Sequence, residues 1–201
     1  MKPCPGTLSL LSLLVFPAAY VLAQDKAAPA MDPKMAAMVA EYKKAGAVTE
    51  NHKLLEPLVG EWTTNSKMWM DPAAPPMDMT GTASAKSIFG GRFVQSEHRG
   101  MFMGEESIGI ATTGYDSQKK KFVGTYIENG STSITTVEGT YDAATKTFTF
   151  SGQYDDPMEH ASIPFRFTQK VGDREKILFE WYEKRGGKEA KTMEIAYTRK
   201  K

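Results

Sequence analysis

The chain has 201 residues, of which 25 are basic and 24 acidic, with 41% hydrophobic content and one cysteine. So even a charge balance gives no electrostatic basis for holding nucleic acid or an anionic membrane surface. The lone Cys4 excludes an intrachain disulfide framework, and the length suits one domain with a sizeable core.

Residues 1–23 read as an export signal. Lys2 supplies the charge, Leu8 to Ala19 the apolar run, and Val21-Leu22-Ala23 a small-residue cleavage site. The apolar run is too short to span a membrane, and no later segment approaches a span. The expectation is a periplasmic or secreted protein starting near Gln24, with Cys4 too far from the cleavage point for a lipid anchor. Loss of Lys2 leaves basic and acidic residues equal in number. The clusters Lys119-Lys120-Lys121 and Arg199-Lys200-Lys201 read as a solvated turn and a tail.

Residues 24–31 are small and polar, as in a flexible linker, and 32–56 form a helical leader. Asp32-Pro33 starts a helix in which Met35, Met38, Val39 and Tyr42 recur at helical spacing until Gly46. Thr49 caps a second short helix carrying Leu54 and Leu55, stopped by Pro57. The single apolar face of the 32–46 helix suggests a gate over the domain behind it, with residues 24–46 dispensable for that domain's fold.

Residues 57–201 read as sheet throughout. Ten strands are predicted at 61–70, 77–88, 92–99, 105–114, 121–128, 131–141, 147–154, 160–170, 176–183 and 189–199. Turn-forming segments such as DPAAPP, FGG, ENG and KRGGK separate them. Apolar residues alternate within strands, as in Ile163, Phe165 and Phe167, or Ile177, Phe179 and Trp181. No helix-length pattern interrupts the strands, which excludes parallel crossovers. The simplest closure is an all-β, up-and-down antiparallel barrel, which removes exposed edges. Tyr115-Asp116-x-x-x-Lys120-x-Phe122 recurs as Tyr141-Asp142-x-x-x-Lys146-x-Phe148, and is read as one tight hairpin used twice.

At the start of the barrel Gly60-Glu61-Trp62 lets the chain turn in close and drop an indole into one end. Arg199, at the far end of the chain, can lie over that indole. Gly60, Trp62 and Arg199 together resemble the closure signature of the lipocalin and calycin barrels. A wider set extends the likeness: His52, Leu54-Leu55, Leu58-Val59 before the Gly-x-Trp, Gly90-Gly91-Arg92-Phe93, Gly114-Tyr115-Asp116, Glu138-Gly139 before Tyr141-Asp142, Asp156-Pro157 and Tyr197-x-Arg199. These resemble a bacterial family of unknown function, number 1579 in the domain-of-unknown-function series. The resemblance implies a lipocalin-like barrel over 57–201 and supplies no catalytic residues.

Strand parity assigns each turn to a rim. Trp62 and Arg199 mark the closed end, and DPAAPP, Gly100 to Gly104, ENG, DDPME and KRGGK lie at the open one. Met68, Met70, Met77, Met79, Met101 and Met103 then gather at the open rim, with Met70 expected to face Met77 and Met68 to face Met79. His98 and Tyr126 complete the candidate ligand-binding set, and Met158 and His160 lie near the same rim. A flexible thioether lining suits a small hydrophobic ligand, and no cofactor is assigned. Thioethers with an imidazole also suit Cu(I), for which His98 and Met101 are the candidates. Haem is a further alternative. Small calycin-like barrels that bind it use a histidine of the later strands, and none follows His160.

Hydrolytic motifs are missing, since neither Gly-x-Ser-x-Gly nor His-Glu-x-x-His occurs. Glu97, Arg166, Glu180 and Tyr182 either form a polar floor or point outward as ion pairs, and outward is the simpler reading. The enzyme alternative is an isomerase or hydrolase of an apolar substrate, with Glu97, Tyr126 or Tyr182 as acid-base groups.

Overall fold

The computed structural model describes residues 31–201. The signal and nearly all of the linker lie outside the described residues. Helix α1 spans Pro33–Ala45, and the Asp32 carboxylate accepts from the Lys34 and Met35 N–H groups at 2.8 and 3.2 Å. Helix α2 spans Glu50–Lys53 and a 3₁₀ turn spans Glu56–Leu58.

The strands are β1 Gly60–Met68, β2 Met77–Ile88, β3 Phe93–Phe102, β4 Glu105–Asp116, β5 Lys121–Glu128, β6 Thr135–Asp142, β7 Thr147–Asp156, β8 Ala161–Val171, β9 Lys176–Arg185 and β10 Lys188–Arg199. Each pairs antiparallel with its neighbours in sequence, and β1 pairs with β10, so the sheet closes into a barrel without an edge. The all-β, up-and-down barrel read from the sequence is the fold observed.

Most strand limits fall within two residues of the sequence reading, and three of the differences bear on the site and its rim. The β3–β4 hairpin turns on two residues, Met103 and Gly104, both at positive φ (51° and 88°), so pairing runs out to Phe102 opposite Glu105. Met101 is therefore a strand residue, not part of a five-residue loop. Strand β1 stops at Met68, beside an irregularity in β10 between Lys191 and Met193, which leaves Met70 outside the ladder. Strand β6 starts at Thr135 because Ser131 and Ser133 bond each other in a turn.

The repeated Tyr-Asp hairpin is one backbone device. Asp116 accepts from the N–H groups of Gln118 and Lys119, Asp142 from those of Ala144 and Thr145, and Lys120 and Lys146 each take positive φ. It occurs a third time without the Tyr and Lys. Asp156 accepts from Met158 and Glu159, and His160 sits at φ 51°.

The closed half of the barrel is solid. Trp62, Phe122, Phe148 and Phe150 are buried there, with Leu55 from the leader and Leu58 from the 3₁₀ turn beneath them. Trp62 Nε1 donates to the Leu58 carbonyl at 3.2 Å. The Arg199 guanidinium lies 4.1 Å from the indole centre and donates to the carbonyls of Val59, Pro57 and Arg174.

Candidate functional site

Directly paired residues share a face of a sheet, so the inner face can be followed round the barrel from buried Trp62. On β1 it continues through Thr64 and Ser66 to Met68. Met68 is opposite Met77 on β2 and Met193 on β10, and Ser66 is opposite Met79. The pairing is thus Met68 with Met77, not Met68 with Met79, because the β1–β2 connection takes in Trp69 and Met70 and so shifts the register by two residues. Met193, Met68 and Met77 form an inward row on three adjacent strands at the open end, with Met79 next to it.

The other methionines leave this row. Met101 lies between inward His98 and the turn with the wrong parity, so it points out, and Met103 is in the turn itself. Met70, Met101 and Met103 are 68%, 56% and 67% exposed, whereas the four inward methionines are half-buried. His98 and Met101 accordingly lie on opposite faces and cannot share a copper ion. His160 is exposed in the β7–β8 turn. Among the described residues no three His, Cys, Asp or Glu side chains converge as metal ligands.

Deeper in, the polar groups are His98, Ser96, Tyr126 and Tyr197. His98 pairs with Ala83 and Gly109, and its Nε2 lies 3.0 Å from Ser96 Oγ. Burial lowers its pKa, so the imidazole is neutral at pH 7. Its ring meets Tyr197 edge-on at 6.0 Å. Tyr126 faces inward four residues from buried Phe122 and lies across Gly109, where a Cβ would come 2.2 Å from its hydroxyl. That hydroxyl donates to Glu128 at 3.2 Å. Burial first, and Glu128 second, raise the Tyr126 pKa well above the ordinary phenol range; burial does the same to Tyr197.

Half a circuit away, β7, β8 and β9 carry a bank of rings. Phe150 stacks on Phe167 at 4.9 Å, Phe165 on Trp181 at 4.0 Å, and Phe167 and Trp181 are within 5° of parallel. The facing wall is small: Gly81, Ala83, Ser96 and Ala111 occupy β2 to β4. Phe148 and Phe150 in the packed half are buried, but Phe167, Phe179, Trp181 and Ile195 point inward and are still reached by solvent.

Above the rings the mouth is crossed by a charged cluster. Arg185 donates to Asp156 and Glu183 at 2.8 and 2.9 Å, to Tyr154 at 2.7 Å, and to Glu159. Trp181 Nε1 also donates to Glu183, tying the inner wall to the rim. The Tyr154 phenol is pushed up to about 12, chiefly by burial and then by Glu183.

Glu97, Arg166, Glu180 and Tyr182 form no floor. Glu97 pairs with Arg99, Arg166 makes a two-pronged pair with Glu189 and lies 3.8 Å over Tyr182, and Glu180 pairs with Lys191. All four lie on the outer face, opposite in parity to the inward residues. Of the three acid-base candidates, only Tyr126 faces the interior. Two hollows, of about 330 and 560 Å³, also lie on the outside, around Leu178 and Ala196 and around Glu138 and Ser151. Their walls are mostly strand surface and lysines.

Sequence reasoning passed over Met193 and the ring bank. Met193, Ile195, Tyr197 and Arg199 alternate in one parity, which was signal enough for the methionine. The rings could be seen to alternate, but only the register places them across from the small residues of β2 to β4.

A family model described as "Protein of unknown function (DUF1579)" matches residues 47–199. No curated protein matches the chain. Among solved structures, Rv2717c from M. tuberculosis is similar, with a TM-score of 0.55 at 11% identity, covering 77% of this chain and 100% of that one. At that identity the likeness concerns the fold alone.

Proposed function

The chain belongs to the DUF1579 family, and from its part-exposed inward rings we propose that it binds a small hydrophobic molecule inside the barrel, entering past the row of Met193, Met68, Met77 and Met79. The observation that carries this reading is a contrast among the inward rings. Trp62, Phe122, Phe148, Phe150 and Phe165 are buried, while Phe167, Phe179 and Trp181 keep part of their surface open to solvent. Wetted apolar surface inside a rigid wall favours an apolar guest, at about 25 cal/mol per Å² removed from water. Thioethers adapt their shape and suit the entrance. The leader sequence supports a periplasmic or secreted setting for this binding.

The test is oxidation footprinting with an uncharged apolar dye. Under mild peroxide, Met70, Met101 and Met103 should oxidise first, whether or not dye is present. Dye should slow oxidation of Met68, Met77, Met79 and Met193, and sulfoxides at those four should weaken dye binding while the far-UV spectrum is kept. Dye that protects none of the four would sink the proposal.

A further inference from the structure

Charge inside the barrel narrows the class of guest. Above the closed end, no Lys or Arg faces inward among the described strands until the mouth is reached. Arg199 lies below the indole, where three carbonyls hold it. Arg185, at the mouth, has its guanidinium nitrogens committed to Asp156, Glu159, Glu183 and Tyr154. The inner face instead offers carboxylates. The Glu183 side chain is 14% exposed, and Glu128 stands beside Tyr126. Rim residues Asp71 and Glu105 add negative charge, with exposed Lys188 opposite Arg185 as a cation at the very lip, whereas Lys119, Lys120 and Lys146 lie in closed-end turns and Lys121 opens β5 beside one.

On the reading proposed above, we infer that the barrel takes an uncharged, ring-containing molecule with a single hydrogen-bonding group, and that it discriminates against carboxylates such as fatty acids. A carboxylate drawn in would lose its water with no cation to replace it, and would approach Glu183 and Glu128 as a like charge. A neutral head group meets partners that fit it. The Tyr126 hydroxyl, whose proton goes to Glu128, can accept one bond, and the His98 ring nitrogen not engaged by Ser96 can donate or accept one. Its rings meet the near-parallel bank of Phe167 and Trp181 across from the small side chains of β2 to β4.

The experiment compares two probes of the same ring size, anthracene-9-carboxylic acid and its methyl ester, by equilibrium fluorescence at pH 7 with the chain from Gln24 onward. The ester should bind at least about 30-fold more tightly than the acid, and oleate should not displace it. Met79→Arg, which adds an inward cation near the mouth, should narrow or reverse the preference. Equal affinity for acid and ester, or displacement by oleate, overturns the inference and leaves hydrophobic binding standing. If neither probe binds, nor any neutral dye, the binding proposal itself fails and takes this inference with it.

Discussion

Gly60 and Arg199 occupy one site from two ends of the chain. Gly60 sits at φ 138°, and a Cβ there would lie 2.0 Å from an Arg199 guanidinium nitrogen. Gly60→Ala therefore combines backbone strain with eviction of the cation from the indole, and should cost about 2–4 kcal/mol in denaturant unfolding. Arg199→Ala should cost about 2–3 kcal/mol, and Arg199→Lys should recover less than half of it, because one ammonium cannot both lie flat on Trp62 and reach three carbonyls. An Arg199→Ala protein as stable as wild type would remove the closure from the account of stability. Two histidines set a pH dependence. His52, buried under the barrel, has its pKa lowered by desolvation first and by Arg92 second, and His98 by desolvation. With folded values below the ordinary 6.5, the unfolded chain takes up protons first as pH falls. Their contribution is thus fully present above pH 6.5 and is lost on acidification through the folded values. Urea midpoints should fall between pH 7 and pH 5, and His98→Gln should flatten part of that slope.

At the scale of elements, the leader divides into two parts with different duties. Helix α1 has no buried residue, and Arg92, in the β2–β3 turn, holds its end by donating to the Gly46 carbonyl at 2.8 Å. That anchor is at the closed end, opposite the methionine row, so the expected gate is attached away from the mouth it was to cover. Helix α2 and the 3₁₀ turn instead form the floor: His52 is buried, Leu55 is 1% exposed, and the Thr49 N–H donates to His52 Nδ1 at 3.0 Å. A chain beginning at Ala47 should lose less than about 1 kcal/mol, whereas one beginning at Pro57 should lose about 3–5 kcal/mol with the Leu55 contacts. Equal stability of the two would show that the floor is dispensable. The strands were legible because a barrel wall with a wet outside must alternate, and Asp-bearing turns bond their own backbone whatever the tertiary context. The site was less so. Which methionine faces which depends on register and turn length, and neither the longer β1–β2 connection nor the two-residue β3–β4 turn is revealed by periodicity.

For the molecule as a whole, the ring of strands has no natural beginning. The seam between β1 and β10 joins Thr63 to Thr198 across 135 positions, and closing a loop of that size costs about 4 kcal/mol of chain entropy. Every other junction is a short hairpin. The Lys200 N–H bonds the Glu61 carbonyl, and the leader's floor sits beside it, so both ends of the folded unit emerge from one pole. A circular permutant can therefore join Lys201 to Ala47 through a short Gly-Ser bridge and open the chain between Gly186 and Gly187. Its melting temperature should stay within about 8 °C of the parent, roughly 2–3 kcal/mol for a domain of this size. In that chain β9 and β10 would meet last, and β1 and β10 would be linked at the outset. Where the polypeptide starts would then set only the order of assembly, and the barrel would be equally well written from any of its turns.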